Sequence, residues 1–423
     1  MEYEKFLKKN KEEMISALQE VVRINSEEGE SFVCQDETVY PFGQGIQKAF
    51  EATLDIGRRL GFQVKNVDNY GGHIDFPGTG DKIMAILGHI DVVPAGKGWK
   101  YDPYGGEIAD GKIYGRGTSD DKGPVISCLY AMKALKDAGY KPSATIRVIL
   151  GLDEESEWTG MDYYFSKERR PDFGFTPDAD FPLINREKGI LVFELAKKFG
   201  KAKSEGLDLR SVKGGNAPNS VADSCRAVLS SKDSGRYERV KEKLAEYRDE
   251  TGYKISCRGL GKSLEITASG ISAHGAKPEA GLNAISIMMD FLGRLNFASD
   301  DQNDFISFYN QYIGFDLNGR KLGVDFEDEQ SGRLIFNVGM TEINTEAGKF
   351  TINIRYPVTY EDNQIYEPME PVLTRYDIGL VKLNSKAPLY IDENDPLITT
   401  LLEIYKKHTG DEGAEPLVTG GGT

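Results

Sequence analysis

The stretch ILGHIDVVP, residues 86–94, contains the pattern on which the fold prediction depends. An apolar run typical of a buried strand ends at His89, and Asp91 stands two positions later. Alternate residues of an extended segment face the same way, so one of these side chains could bind a metal while the other orients it. Alone, an HxD segment is weak evidence, because a histidine of the core or the surface is the commoner case.

Apolar runs and helical patterns alternate around this stretch. Strands that alternate with helices predict an α/β domain whose sheet is mixed and mostly parallel, with flanking helices. Ligands of such sheets bind beyond the carboxyl ends of the strands. The predicted strands are residues 62–67, 83–87 and 144–150, and the predicted helices are 11–24, a segment ending near Leu60 before Gly61, and 125–138 before Gly139.

The pattern changes near Arg186 and returns after Pro388. Between them, strands at 264–268, 334–340 and 349–356 with helices at 237–248 and 284–295 predict a separate α+β domain. In the last part, Asp395 is predicted to cap a helix that starts at Pro396. We therefore predict a catalytic domain (1–186 and 388–423) that is interrupted by an inserted α+β lid domain (187–387).

Composition excludes several classes of protein. A chain of 423 residues is long for one core, which favours two domains. The net charge of −15 argues against nucleic-acid binding and against anionic membranes. No segment has the roughly 20 apolar residues of a membrane span, and the start lacks a signal peptide, so we expect a cytoplasmic protein. The dispersed cysteines predict buried free thiols: Cys34, Cys128, Cys225 and Cys257.

Acidic residues follow further predicted strands or open a predicted helix. GRGTSDDKGP (115–124) contains Asp120, GLDEESEWTG (151–160) contains Glu154 and Glu155, and FTPDADFP (175–182) contains Asp178. Each has an ordinary explanation alone: a turn, a helix cap or solvated carboxylates. Together, in the order HxD, DDKG, EE and D, they form a specific pattern for a metal site.

These segments resemble the metal-binding motifs of the aminoacylase–carnosinase–carboxypeptidase metallopeptidase superfamily, and most of all its PepV-type dipeptidase branch. The resemblance covers essentially the whole chain. It implies two zinc ions, with Mn²⁺ or Co²⁺ as alternatives, and a cis peptide bond between Asp120 and Asp121. The implied metal ligands are His89 and Asp178 for the first ion, Glu155 for the second, and Asp120 as the bridge.

The resemblance also implies the catalytic roles. Glu154 would be the general base, and Asp91 would orient His89. From the residues alone, Glu154 and Glu155 could exchange roles; the resemblance favours Glu155 as the ligand. Paired ions activate water and polarise the scissile carbonyl, and a neighbouring carboxylate accepts the proton.

The predicted lid carries three further candidates. They are Asn219 in GGNAPNSVAD (214–223), His274 in GISAHGAKPEAG (270–281) and Arg355 in INIRYP (352–357). By resemblance, His274 stabilises the oxyanion, while Asn219 and Arg355 bind the substrate's carboxylate end. A surface ion pair is the alternative for Arg355. The other two histidines, His73 and His408, are predicted to be surface residues without a role.

The resemblance departs from the family pattern at the end of the sequence. The family's sixth ligand is a histidine beyond a Gly-rich loop, and here TGGGT ends at Thr423. The second metal site is therefore expected to be incomplete, as in a fragment that binds a second ion weakly. The long lid could supply His274 within one chain, so we expect a functional monomer.

The favoured function is a zinc-dependent dipeptidase that acts on small peptides and releases the N-terminal residue. By resemblance, aspartate at position 178 goes with dipeptidase activity and glutamate with deacylation. The alternatives are an N-acyl amino acid deacylase, of the acetylornithine or succinyl-diaminopimelate type, and a catalytically inactive binding protein.

Overall fold

A computed structural model describes residues 2–201 and 206–421. The chain divides into two compact units, one reaching Ala179 and the other beginning at Asp180. None of the helices in the described part is long and apolar enough to cross a membrane.

The first unit contains five α-helices and nine strands among its described residues. The helices are α1 (Glu2–Lys9), α2 (Lys11–Val22), α3 (Gln44–Arg59), α4 (Lys122–Asp137) and α5 (Thr159–Lys167). The strands are β1 (Phe32–Val33), β2 (Val39–Tyr40), β3 (Gln63–Val67), β4 (Gly71–Phe76), β5 (Ile83–His89), β6 (Glu107–Ala109), β7 (Lys112–Tyr114), β8 (Thr145–Gly151) and β9 (Phe173–Phe175).

The central sheet of this unit has the order β3-β4-β8-β5-β9. The pairs β8–β5 and β5–β9 are parallel, whereas β3–β4 and β4–β8 are antiparallel. The prediction of a mixed α/β sheet is confirmed, but parallel pairs are half of the total rather than most of it. The reason is that β3 and β4 form a hairpin, which requires antiparallel strands.

The predicted helices of this unit bury the expected faces. In α4, Val125, Ile126 and Leu129 are buried against the sheet, at the spacing of one helix face. Gly61 and Gly139 follow α3 and α4 with φ of +75° and +77°, a left-handed conformation that glycine adopts without a Cβ clash. The predicted stop signals are therefore confirmed.

The strands of the second unit are β10 (Ile184–Glu187), β11 (Gly189–Lys198), β12 (Asp208–Gly214), β13 (Ser224–Ser230), β14 (Lys254–Leu260), β15 (Ser263–Ser269), β16 (Glu327–Asp328), β17 (Gly332–Arg333), β18 (Ile335–Ile343), β19 (Ala347–Tyr356), β20 (Gly379–Lys386), β21 (Leu389–Tyr390) and β22 (Leu417–Thr419). Its α-helices are α6 (Gly235–Thr251), α7 (Ala284–Leu292), α8 (Asp300–Tyr312), α9 (Asp362–Tyr366), α10 (Glu370–Arg375) and α11 (Pro396–Thr409), with 3₁₀ turns at Pro278–Ala280, Arg320–Leu322 and Glu367–Met369.

This unit is built on an antiparallel sheet with the order β14-β15-β13-β12-β18-β19-β11-β20. Helix α7 is apolar over nearly its whole length and is buried in the core of the unit.

The end of the chain is grouped differently from the sequence prediction. Asp395 caps α11 through its side chain and Pro396 is the first helical residue, as expected. However, β21 and β22 both pair with β10, and the described residues from Asp180 onward form one unit. The strand pairing therefore joins 388–421 to the second unit. The three-part division 1–186, 187–387 and 388–423 stays a prediction.

Two predictions of exposure are wrong. His73 was expected at the surface, but it lies in β4, a strand with partners on both sides, and is only 5% exposed. Cys34 was expected to be buried, but it is exposed after the short strand β1. Cys225 is fully buried, Cys128 and Cys257 are partly buried, and all four thiols are free.

Candidate metal centre

Strand topology brings the predicted ligands of the first unit together. His89 is the last residue of β5, while Glu154 and Asp178 follow β8 and β9 by three residues each. Because β8, β5 and β9 are parallel neighbours, their carboxyl ends lie at one edge of the sheet. The crevice beyond that edge is the usual ligand site of α/β sheets.

Carboxylates surround one ring nitrogen of His89, which is 1% exposed. Its Nε2 lies 3.0 Å from Asp120 Oδ1, 3.6 Å from Asp178 Oδ2 and 3.9 Å from Glu154 Oε2. Among the described residues, two groups have ligand atoms that all lie within 4.8 Å of one another. One is His89, Glu154 and Asp178, and the other is His89, Asp120 and Glu155. This geometry keeps Glu154 and Glu155 both as candidate ligands.

Asp91 contacts the opposite side of the imidazole. The His89 Nδ1 lies 3.0 Å from the Asp91 carbonyl oxygen and 3.3 Å from its Oδ1. The Asp91 Oδ2 accepts a hydrogen bond of 2.9 Å from the backbone N–H of Glu155. Asp91 therefore contacts the His89 ring, mainly through its backbone carbonyl oxygen, and its carboxylate is hydrogen-bonded to the Glu-Glu loop.

The turn before α4 places Asp120 and Asp121 on different sides. The peptide bond between them is cis, as predicted. Asp120 contacts His89 Nε2, whereas Asp121 is fully buried and its Oδ2 accepts the backbone N–H of His89 at 3.1 Å. No role was predicted for Asp121, although its place in DDKG, beside a predicted ligand, was a signal.

Asp153 is a second residue without a predicted role. It is 1% exposed, and its carboxylate accepts hydrogen bonds from Thr159 Oγ1 at 2.8 Å and from the Gly160 N–H at 3.1 Å. Its carbonyl oxygen accepts the N–H of Trp158. Asp153 thereby holds both ends of the loop that carries the two glutamates. The signal in the sequence was an acidic residue before a Thr-Gly pair at a helix start.

The burial and the charges of the cluster shift the pKa values of its members. Burial would lower the pKa of His89, but hydrogen bonds to Asp120 and Asp91 outweigh it and raise that pKa to about 11. Burial raises the pKa of Glu154 to about 7, and nearby Asp178 adds to the effect while His89 opposes it. Burial also raises the pKa values of Glu155 and Asp178. Carboxylates this close together repel one another unless a positive charge lies among them.

A divalent cation fits this donor set. Imidazole and carboxylate are ligands of zinc and its neighbours in the transition series. The acidic groups that face His89 Nε2 make this a place where a cation would be stabilised. The buried Asp91 Oδ1 has no hydrogen-bond partner among the described residues, and it lies 3.3 Å from His89 Nδ1.

The candidates of the second unit form a group of their own. The Asn219 carbonyl oxygen accepts the Gly275 N–H at 2.7 Å, and Ser220 forms a backbone bridge with His274. The His274 Nδ1 accepts the N–H of Ala276 at 3.2 Å, so the neutral ring carries its proton on Nε2. Burial, Arg355 and Lys277 lower the pKa of His274, which favours the neutral ring.

Arg355 does not form the surface ion pair that was the alternative. It is 5% exposed, its Nε donates to Asn353 Oδ1 at 3.0 Å, and its Nη1 donates to the carbonyl oxygens of Gly420 and Gly421. Burial lowers its pKa. Within the described residues its hydrogen bonds go to neutral oxygens, so the guanidinium charge is available to an anion.

An α/β sheet with an imidazole–carboxylate cluster at its strand ends is the arrangement expected of a metal-dependent hydrolase. Residues 85–423 match the model of Peptidase family M20/M25/M40. The chain belongs to this family and is a hydrolase of peptide bonds.

The relatives and solved structures agree with this assignment. The chain is 36% identical to "Putative dipeptidase YtjP" of Bacillus subtilis (strain 168), over 100% of its own length and 89% of that protein. It is 35% identical to the Beta-Ala-Xaa dipeptidase of Lactobacillus delbrueckii subsp. lactis, over 100% of its own length and 88% of that protein. Its fold is similar to that of the M20 family metallo-carboxypeptidase Sso-CP2 from Sulfolobus solfataricus, with a TM-score of 0.53 and 16% identity. The match covers 97% of this chain and 86% of that protein.

Proposed function

We propose that this protein is a metal-dependent dipeptidase that releases the N-terminal residue of small peptides. The observation that carries the proposal is the buried His89 ring, whose Nε2 lies within 4 Å of Asp120, Glu154 and Asp178. The two groups of ligand atoms that share His89 support a metal site here, and we propose two ions, with zinc as the first choice and Mn²⁺ or Co²⁺ as alternatives.

Dipeptides are proposed as the substrate class because two relatives that align over the whole chain are named dipeptidases. Asp178 supports the same choice, because aspartate at this position was predicted to favour dipeptides over N-acyl amino acids. No observation on the described residues specifically favours the deacylase alternative.

We assign the metal ligands as His89, Asp120, Asp178 and Glu155, with Asp120 shared. Bound ions would lower the pKa of water and polarise the scissile carbonyl. Glu154 would accept the proton of the attacking water and pass it to the leaving amine. A carboxylate buried enough to have a pKa near neutrality is suited to both transfers. Asp91 would hold the His89 ring through Nδ1.

The second unit would supply groups that bind the substrate. His274, with its proton on Nε2, would donate a hydrogen bond to the oxyanion, a contribution of a few kcal/mol in typical cases. Arg355 would bind the substrate carboxylate through its guanidinium, whose hydrogen-bond partners are uncharged oxygens. Asn219 would bind the same end of the substrate.

The domain and assembly predictions belong to the same proposal. We propose that residues 187–387 act as an inserted lid and that the protein works as a cytoplasmic monomer, because the long lid could supply His274 within one chain. Light scattering of the active enzyme tests the monomer. A dimer that loses activity on dissociation would contradict it.

The decisive experiment separates the two glutamates. Glu154→Gln should keep metal content but lose about 10²–10⁴ in kcat, because a positioned base is removed. Glu155→Gln should instead lose metal at one site. Metal content by mass spectrometry and kcat on a panel of dipeptides, including β-alanyl dipeptides, give the two readouts.

The control is Glu157→Gln, an exposed residue of the same loop, which should change neither quantity. Loss of metal in Glu154→Gln with full metal in Glu155→Gln would show that base and ligand are exchanged. Faster cleavage of N-acetyl amino acids than of every dipeptide would contradict the substrate class.

A further inference from the structure

Asn337 is one of several polar side chains that are buried in the large sheet of the second unit without a predicted role. Asn337 lies in β18, opposite Asn353 of β19, and is 2% exposed. An amide buried away from water in such a place is destabilising unless it is hydrogen-bonded. Its neighbours along β18, Phe336 and Val338, are apolar, and the residue opposite it is the buried Asn353. The amide is therefore expected to have a directional function.

Both hydrogens of the Asn337 amide are donated to one turn. Its Nδ2 lies 3.0 Å from the carbonyl oxygen of Pro218 and 3.0 Å from that of Ser220. These carbonyls stand on either side of Asn219. The two contacts restrain the backbone before and after Asn219, which leaves its side chain exposed in a defined place.

The same turn packs directly onto the backbone of β18. A Cβ on Gly339 would lie 2.3 Å from the Pro218 oxygen and 2.5 Å from the Ala217 oxygen, which is far inside contact distance. The strand register shifts at this point, between Val338 and Met340. The absence of a side chain at Gly339 and the two hydrogen bonds of the Asn337 amide thus hold residues 217–220 against β18. This contact is called the seat below.

The seated turn is hydrogen-bonded to the His274 loop. The Asn219 oxygen accepts the Gly275 N–H at 2.7 Å, and the Val221 N–H donates to the Ala273 oxygen at 2.9 Å. A Cβ on Gly275 would lie 2.9 Å from the Asn219 carbonyl, so the two segments are in close contact. Movement of the turn would therefore move His274.

We propose that Asn337 is a positioning residue for substrate binding and oxyanion stabilisation, acting through the Asn219 turn on His274. This inference rests on the proposed roles of Asn219 and His274. Asn337 itself need not touch the substrate. A displacement of about 1 Å in a catalytic group can cost about 10² in rate, and this is the effect expected when the amide is lost.

The test uses the full chain with its metal bound. Asn337→Leu should lower kcat/KM about 10²-fold with metal content unchanged. Asn337→Ser, which keeps one hydroxyl donor, should retain more activity than Asn337→Leu. It also provides a second variant that can be measured if Asn337→Leu does not fold. The matched control is Asn310→Leu, which removes an amide donor to the Met289 oxygen between α8 and α7 and should leave kcat/KM unchanged.

A double-mutant cycle separates positioning from general damage. If Asn337 acts through His274, adding Asn337→Leu to His274→Ala should cost less than Asn337→Leu costs in wild type, because residues of one hydrogen-bonded network are non-additive. Hydrogen exchange of the Gly275 N–H should be faster in Asn337→Leu than in the Asn310→Leu control. Losses that multiply in the cycle, or unchanged exchange at Gly275, would overturn the inference.

The proposed function fails in a different way. Full activity of His274→Ala would refute the oxyanion role, whereas the exchange rate at Gly275 reports on the seat independently of catalysis.

Discussion

The buried His73 offers a quantitative prediction about stability. Its Nδ1 is hydrogen-bonded to the Tyr164 hydroxyl at 2.8 Å, and Arg147 lies close by in a bidentate pair with Asp75. Burial is the main cause that lowers the pKa of His73 from 6.5 to about 4, and the positive charge of Arg147 adds to it. The folded protein therefore keeps this histidine neutral at pH values where the unfolded chain is protonated.

Proton linkage gives the sign and the size of the change in the free energy of unfolding with pH. Because the pKa is lower in the folded state, the unfolded state binds the proton first as the pH falls. The stability is complete above pH 6.5 and is lost as the pH falls towards about 4. At 1.36 kcal/mol per pH unit the full loss is about 3.4 kcal/mol, and about 2 kcal/mol of it should be gone at pH 5.

Urea unfolding of wild type and His73→Asn at pH 8 and pH 5 measures this loss. The chain has two tryptophans, Trp99 and Trp158, both in the first unit, so their fluorescence follows the unit that contains His73. A chelator in every sample removes contributions from bound metal. The free energy of unfolding of wild type should fall by about 2 kcal/mol more than that of His73→Asn.

The control is His408→Asn, an exposed histidine in the last turn of α11, whose free energy of unfolding should change with pH as that of wild type does. Equal pH dependence in wild type and His73→Asn, within about 0.5 kcal/mol, would refute the reasoning about burial.

Further predictions concern a buried lysine and the thiols. Lys122 donates from Nζ to the carbonyl oxygens of Val21 and Ile24 at the end of α2, so Lys122→Met should lower the free energy of unfolding by about 2–4 kcal/mol, because both oxygens lose their partner. Denaturant titration followed by tryptophan fluorescence checks this, and a loss below about 1 kcal/mol would contradict it. A thiol reagent should modify the exposed Cys34 first in the native protein. Mass spectrometry should show that Cys34→Ser removes the fast phase, whereas Cys225→Ser, at a fully buried thiol, should leave it intact.

The local pattern of the chain was sufficient for most secondary structure. Helices α3 and α4 end beside the glycines that were predicted as stops, and β5 and β8 lie where the apolar runs are. These features depend on side-chain periodicity and on glycine conformations, which are properties of neighbouring residues. The segments carrying His89, Asp120, Glu154, Glu155 and Asp178 were likewise recognisable, because each adjoins a strand end or a helix start.

The proximity of these residues in space comes from the pairing of strands and not from the local sequence pattern. They are separated by up to 89 positions in the chain, and parallel pairing of β8, β5 and β9 brings their loops to one edge. The order HxD, DDKG, EE and D predicted the members of the cluster. Only the folded chain shows where each carboxylate lies relative to His89 Nε2. It also shows that Glu154 belongs to one ligand group and Glu155 to the other.

The sequence by itself determined the α/β class and most helix and strand positions, because these follow from periodicity, and it indicated the candidate ligands through the resemblance of its motifs to those of a known metallopeptidase superfamily. Tertiary structure alone decided the burial of His73, the grouping of 388–421 with the second unit, and the contacts of Asp121, Asp153 and Asn337. A buried polar side chain is defined by partners that are distant in the chain. Asn337 and Pro218 are 119 positions apart, and no pattern of neighbouring residues records that contact.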